Sequence, residues 1–190
     1  MKRIVLCVLG CMMSLMMTAQ KFTLTYKGFV DAENPDRDYL VINYEGLTKD
    51  QIYTKAQRAV AKTFVSGKDV MTSIPNEQIS INGILPEVTV RKPMGMKLPF
   101  DMKFTMNLEF KDGKMRIGAP HILEIRQEAT LGDVYIYLTK AERGSTILVK
   151  NFALFKNDGK VNEKKHKDNI EFKTNELISQ IISGMNEEDW

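Results

Sequence analysis

The chain has 190 residues, 43% hydrophobic and 27% charged, a balance suited to one globular domain that buries its core without staples. Its formal charge of +3 rests partly on Lys2 and Arg3; without them 25 basic residues face 24 acidic ones, which argues against a nucleic-acid surface. Both cysteines, Cys7 and Cys11, stand near the amino terminus, so the rest of the chain has no disulfide, thiolate nucleophile or cysteine metal ligand.

The first twenty residues read as a secretory signal peptide. Lys2 and Arg3 precede an apolar run from Ile4 to Met17, and Thr18-Ala19-Gln20 supplies a small-residue exit. The run is shorter than the roughly 20 residues of a membrane span. Cleavage is expected after Ala19, leaving residues 20–190 as a single domain exported to the periplasm or beyond. "VLGC", ending at Cys11, faintly matches a lipoprotein box, but lipidation there would leave an apolar region of only Ile4 to Leu9. No later segment approaches spanning length.

Phe22 to Tyr26 predicts a short strand. Asp31 to Arg37 is turn chemistry around Asn34-Pro35, and Tyr39 to Glu45 reads as a strand rich in β-branched and aromatic residues. A helix follows over Lys49 to Val65. Thr48 and Gln51 have capping-box spacing, and Leu47 and Ile52 stand where a hydrophobic staple places them. Gly67 is expected as its C-cap. Asp69 to Ile74 and Gln78 to Leu85 predict two strands joined across Pro75-Asn76. Val88 to Phe100, with Pro93, Gly95 and Pro99, reads as a loop or as strand ends separated by one.

The clearest pattern is "FTMNLEFKDGKMRIG", Phe104 to Gly118. Met102, Phe104, Met106, Leu108 and Phe110 share one face, Lys103, Thr105, Asn107 and Glu109 the other, and Asp112-Gly113 is the hairpin turn. Met115 and Ile117 resume the apolar face, with Arg116 opposite. Ile122 to Glu128 extends that strand past a break at Pro120. Val134 to Leu138 and Ser145 to Phe155 are further strands, with a turn at Arg143-Gly144. Lys156 to Asp168 reads as a solvated loop. A last amphipathic helix is expected over Asn169 to Met185, with Asp168 and Glu171 as a possible capping box, and "NEEDW" as a frayed acidic end. Strands with alternating faces and two one-sided helices predict an α+β fold, an antiparallel β-sheet covered on one face by two helices.

The strand and helix "DYLVINYEGLTKDQIYTKAQRAVAKTF", the strand "ISINGI" and the hairpin "MKFTMNLEFKDGKMRIG" together resemble the DUF4468 family. That resemblance covers about Asp36 to Ile125, leaving a C-terminal extension over 126–190 in which Gln127 to Phe155 reads as an insertion before the last helix. It implies a secreted protein of Bacteroidetes-type bacteria with a TBP-like β-α-β4-α fold, here with an extra hairpin. It implies no activity and no functional residue, because the matching positions are structural. The fold label does not imply DNA binding.

Chemistry-bearing constellations are sparse. His121 follows Pro120 at a strand break and reads as a surface or hydrogen-bonded residue. His166, in "EKKHKD", reads as an exposed loop residue. Neither has metal-ligand spacing. No G-x-S-x-G elbow is present, and Ser66-Gly67-Lys68 lacks the spacing of a phosphate loop. Glu124 with Glu128, or Asp31 with Glu33, would suit a two-carboxylate glycosidase only if they flanked a cleft. Met102, Met106 and Met115 lie in strand phase and read as core, whereas Met94 and Met96 in the Pro/Gly loop suit core or exposed contact equally. Lys164 to Lys167 suits a solvated face or an anionic lipid or glycan.

These readings assign no catalytic residue, cofactor or metal. They describe a non-catalytic exported interaction module of the cell envelope, presenting Thr105, Asn107 and Arg116 or the Met94–Met96 loop to an envelope protein or glycan. The alternative is a carrier of a small apolar ligand held between sheet and helices. A hydrolase depending on His121 has no motif behind it.

Overall fold

The computed structural model describes residues 20–64, 67–128, 132–140 and 150–187. The expected signal peptide, the turn at Arg143-Gly144 and the start of the strand expected from Ser145 lie outside these residues. A two-stranded hairpin comes first, β1 (Phe22–Thr25) and β2 (Gly28–Asp31). Then follow β3 (Tyr39–Asn43), the helix α1 (Lys49–Thr63) and a single short turn of helix, α2 (Gly67–Val70). The strands β4 (Met71–Ile74), β5 (Gln78–Arg91), β6 (Leu98–Lys111), β7 (Lys114–Gly118), β8 (His121–Gln127), β9 (Val134–Tyr137) and β10 (Phe152–Ala153) lead to the long helix α3 (Lys164–Met185).

The eight strands from β3 to β10 form one sheet centred on β6. One edge of β6 pairs antiparallel with β5. The other edge is shared end to end by β7, opposite Leu108 to Lys111, and β8, opposite Asp101 to Thr105. β8 is therefore the continuation of β7 past Pro120, as the sequence suggests. The sheet is antiparallel except at one end, where the two residues of β10 run parallel to β9. α1 and α3 pack on one face of this sheet and on each other.

The alternation read in β6 sets the core. Phe100, Met102, Phe104, Met106, Leu108 and Phe110 all point to the helical side and are almost fully buried, with Met115 and Ile117 from β7 beside them. From α1 they meet Ile52, Ala56, Ala59 and Val60, and from α3 Ile170, Leu177, Ile178 and Ile181. Close helix packing is permitted by Gly184 of α3, where an added Cβ would sit 3.2 Å from the Ala59 methyl.

α1 starts as its sequence predicts. The Gln51 amide donates to the Thr48 hydroxyl (3.3 Å), and the Gln51 side chain accepts from the Thr48 amide (2.9 Å). The hairpin turn is part of the same construction. Gly113 takes the left-handed conformation at φ 73°, the Lys49 amide donates to Asp112 Oδ1 (2.7 Å), and the Gly113 amide donates to the Leu47 carbonyl (2.9 Å). A carboxylate of the turn thus sits on the amino end of the helix, where free amides and the helix dipole favour it.

Several local expectations are corrected. α1 ends at Phe64, which has extended backbone, and Gly67 is not its C-cap. Gly67 opens α2 and is required for close approach, because a Cβ there would lie 2.5 Å from the Ala61 Cα. Of the two readings of Val88 to Phe100, strand ends separated by a loop is the one that holds: β5 runs to Arg91 and β6 starts at Leu98, with a 3-10 turn at Pro93–Gly95 between them. Pro99 is tolerated inside β6 because β8 pairs with β6 only from Asp101. Pro86 falls in a bulge between Leu85 and Thr89, where Glu87 is left-handed at φ 46°. β2 is a strand that the sequence reading does not contain, paired with β1 from Gly28 to Asp31. α3 begins five residues earlier than predicted, at Lys164, with Glu163 at its N-cap and no side-chain cap. Asp168 and Glu171 are interior to it and form no capping box. Asp168 pairs with Lys164, and Glu171 with Lys167.

α3 also fastens the first hairpin. Asn175 accepts from the Phe22 amide (2.9 Å) and donates to its carbonyl (2.8 Å), while Glu171 accepts from the Leu24 amide (2.9 Å). The exposed edge of β1 is closed by helix side chains rather than by another strand.

Two stability measurements check this account. Gly67→Ala forces a methyl into the α1 backbone and is expected to cost about 1–3 kcal/mol, seen as a lower denaturant midpoint at unchanged slope. Thr48→Ala removes half of the capping box and is expected to cost about 1 kcal/mol in the same titration.

Candidate functional site

The outer face of the sheet, opposite the helices, carries the polar row of β6. Thr105 and Asn107 lie there, flanked by Asn82 and Ser80 of β5, and Arg116 of β7 stands opposite Glu109. The structure therefore brings the three predicted face residues onto one surface. Arg116 is its best-defined member. Its guanidinium lies 4.2 Å from the Tyr39 ring centroid and 3.4 Å from Glu109 Oε2. Cation–π contact on one side and a carboxylate on the other hold the side chain over the sheet. Tyr39, Val41, Gln78, Glu109, Lys114 and Arg116 line a shallow trough of about 600 Å³ at this end of the face. At the other end Lys103 pairs with Glu124 (2.8 Å), and Arg126 approaches Glu124 and Asp133, each at 3.5 Å.

The carboxylate pairs do not make a hydrolytic site. Glu124 is held by Lys103 and Arg126, and Glu128 is an exposed partner of the same arginine. Asp31 is 3% exposed, and both of its oxygens are engaged, by the Glu33 amide (2.9 Å) and by Arg37 (2.6 Å). Its neighbour Glu33 is exposed. His121 is exposed on the outer face opposite Thr105. Ser66 and the side chain of Lys68 lie outside what the structure describes. Among the described residues no group of three or more histidine, cysteine or acidic side chains is placed to hold a metal.

His166 is the main correction. It is not an exposed loop residue but is 7% exposed, on the first turn of α3 against the sheet. Its Nδ1 lies 2.8 Å from the hydroxyl of Thr89, itself buried on β5. Asn169, one helical turn on at α3, donates to the same hydroxyl (3.2 Å). The Thr89 hydroxyl thus joins His166 and Asn169, and the imidazole tautomer decides whether Thr89 or Nδ1 donates. The Phe152 ring lies 5.2 Å from the imidazole, and the Arg91 guanidinium lies 3.9 Å from the Phe152 centroid. Arg91 also reaches Glu163 (3.3 Å). This cluster bolts the end of β5 to the start of α3. Burial, then the nearby Arg91 charge, pushes the His166 pKa below the ordinary value of 6.5. A spacing signal was available: His166, Ile170, Thr174, Leu177 and Ile181 continue one helical stripe, but the surrounding lysines masked its first member.

The methionines divide as the strand phase predicts. Met102, Met106 and Met115 are buried, whereas Met94 is 91% and Met96 46% exposed. Between the end of α1, the middle of α3 and the edge of β5 left free beyond β4 lies an open cleft of about 690 Å³, lined on its apolar side by Phe64, Val70, Ile84, Leu85 and Leu177. Among the described residues no helix is long and apolar enough to cross a membrane.

Comparison with known proteins gives the fold and no chemistry. Residues 39–123 match the model of a domain of unknown function with TBP-like fold, DUF4468, in agreement with the resemblance seen in the sequence. A TBP-like protein from Parabacteroides distasonis ATCC 8503 superposes with a TM-score of 0.53 at 16% identity, over 80% of this chain and 92% of that one. A DUF4468 family protein from Bacteroides ovatus ATCC 8483 gives a TM-score of 0.49 at 9% identity, over 80% and 86% of the two chains. No curated protein matches.

The buried imidazole makes stability depend on pH. The folded pKa is lowered, so the unfolded chain binds the extra proton first as pH falls. The stability contributed by neutral His166 is expected to be complete above about pH 6.5 and to be lost as pH drops through the folded value. Melting temperatures measured from pH 8 to pH 5 should show this fall, and His166→Gln should flatten it.

Proposed function

For this chain, whose residues 39–123 match the DUF4468 domain with its TBP-like fold, we propose a non-catalytic interaction module of the cell envelope, exported by the signal peptide read in residues 1–19. The observation that carries this reading is the outer face of the sheet, on which none of the described helices packs. Both helices pack on the opposite side, so the outer face offers a broad, rigid surface of ordered polar side chains. Its charges alternate in sign, which suits selection of a complementary protein or glycan and not the uniform field of a nucleic-acid backbone. Arg116 is its anchor: an arginine stacked on an aromatic ring loses little freedom when it binds, and arginine and tyrosine are enriched among residues that dominate interfaces.

The rim cleft supports a second reading, a carrier of a small apolar ligand. The layer between sheet and helices is filled by side chains such as Ile52, Ile79, Met102 and Ile181. The carrier reading therefore rests on the cleft beside Phe64, Ile84 and Leu177, whose volume is within the range of small-molecule sites.

Each reading has its own measurement. Cross-linked recovery of a defined partner from envelope extract is expected with the native protein and expected to fall about tenfold or more with Arg116→Glu, since a reversed charge at an interface costs several kcal/mol. Equal recovery with a natively folded variant would remove the outer face from the proposal. For the carrier, native mass spectrometry of the exported protein should show a bound apolar species that Ile84→Asp displaces. A ligand-free spectrum would rule that reading out.

A further inference from the structure

We propose that the turn between β5 and β6, together with the start of α3, docks on an anionic lipid surface. The site is separate from the outer sheet face, and the proposal stands or falls without it.

The turn is an apolar tip in a basic collar. Met94 is 91% exposed and Met96 46%. Met94 adopts a left-handed backbone (φ 49°, ψ 29°), followed by Gly95 at φ 83°. A non-glycine residue in that region is strained, and such strain concentrates at functional sites. Here it accompanies a large apolar side chain held out in water. The whole stretch from Val88 to Phe100 contains Arg91, Lys92 and Lys97 and no acidic residue.

The cluster around His166 fixes what lies beside this tip. Thr89 contacts His166 and Asn169, and Arg91 contacts Glu163. The end of β5 is thereby held against the first turn of α3, so the tip and the lysines of α3, distant in sequence, share one end of the molecule. Two acids at the start of α3 are already engaged: Glu163 by Arg91, and Asp168 by Lys164 and Lys167. Lys92, Lys97 and Lys165 are exposed and form no ion pair among the described residues. The surplus charge therefore faces outward around the methionines.

This combination fits the boundary of a bilayer. Anionic headgroups attract the lysines, each worth about fivefold in affinity near the surface, and the thioether side chains enter the acyl boundary. Two methionines and three lysines make a weak, reversible, salt-sensitive contact and not an anchor.

The test is sedimentation of the exported, processed protein with vesicles of about seven parts phosphatidylcholine to three of phosphatidylglycerol, and with phosphatidylcholine alone. Binding is expected to the anionic vesicles at low salt and to weaken as salt is added. Met94→Ser with Met96→Ser, and separately Lys92→Glu with Lys97→Glu, should each lower the partition coefficient about tenfold or more, with circular dichroism unchanged because all four side chains are exposed. Equal binding to neutral vesicles, no binding by the native protein, or native-like binding by the methionine variant would overturn the proposal. Loss in the lysine variant alone would also overturn it, in favour of a soluble polyanion.

Discussion

Burial of one row of side chains on β6 is the constraint on which the rest of the molecule depends. Phe100, Met102, Phe104, Met106, Leu108 and Phe110 enter the core as a single file. A slip of one residue would place all six in water and bring Asp101, Lys103, Asn107 and Glu109 inside. No partial compromise exists, so the register of β5, β7 and β8 against β6 is fixed together. The helices then have one place to put their apolar stripes. Their amphipathic faces, and not their intrinsic propensities, decide which side of the sheet they cover. The outer face is left to the polar positions of the same strands, and its character follows from what the inner row required.

The parts of this plan that were legible in the sequence are those written in short-range periodicity. Alternation marks β6 and β7, Asp112-Gly113 marks their turn, and Thr48 with Gln51 marks the start of α1. The misreadings share a different cause. The strand expected to end at Leu85 runs on to Arg91, because the chain passes Pro86 in a bulge and pairs with β6 again from Thr89. Gly67 looks like a helix terminus because glycine favours left-handed backbone, but it is small for the sake of the neighbouring α1 backbone. His166 looks solvated because lysines surround it in sequence, and its burial depends on Thr89, 77 positions away. In each case the deciding neighbour is distant along the chain, and no local window contains it.

The same limit applies to function. The family match and the solved TBP-like relative speak to topology, and a topology hosts many activities. What distinguishes this chain is chemistry that the fold does not demand. Packing on β6 does not require an arginine stacked on Tyr39, nor does a β-turn require two exposed methionines. Both features lie outside the buried row, at positions the fold leaves free.

The hairpin turn at Asp112-Gly113 has a bearing on how the molecule comes apart. Asp112 caps the Lys49 amide, and Gly113 exchanges hydrogen bonds with Tyr44 and Leu47 on the segment leading into α1. The first turn of the helix cannot fray while the hairpin is closed, and the hairpin cannot open without uncovering the helix start. Two elements more than sixty residues apart along the chain therefore belong to one cooperative unit. Closing that loop is a non-local event, so the helix start and the hairpin open and close together.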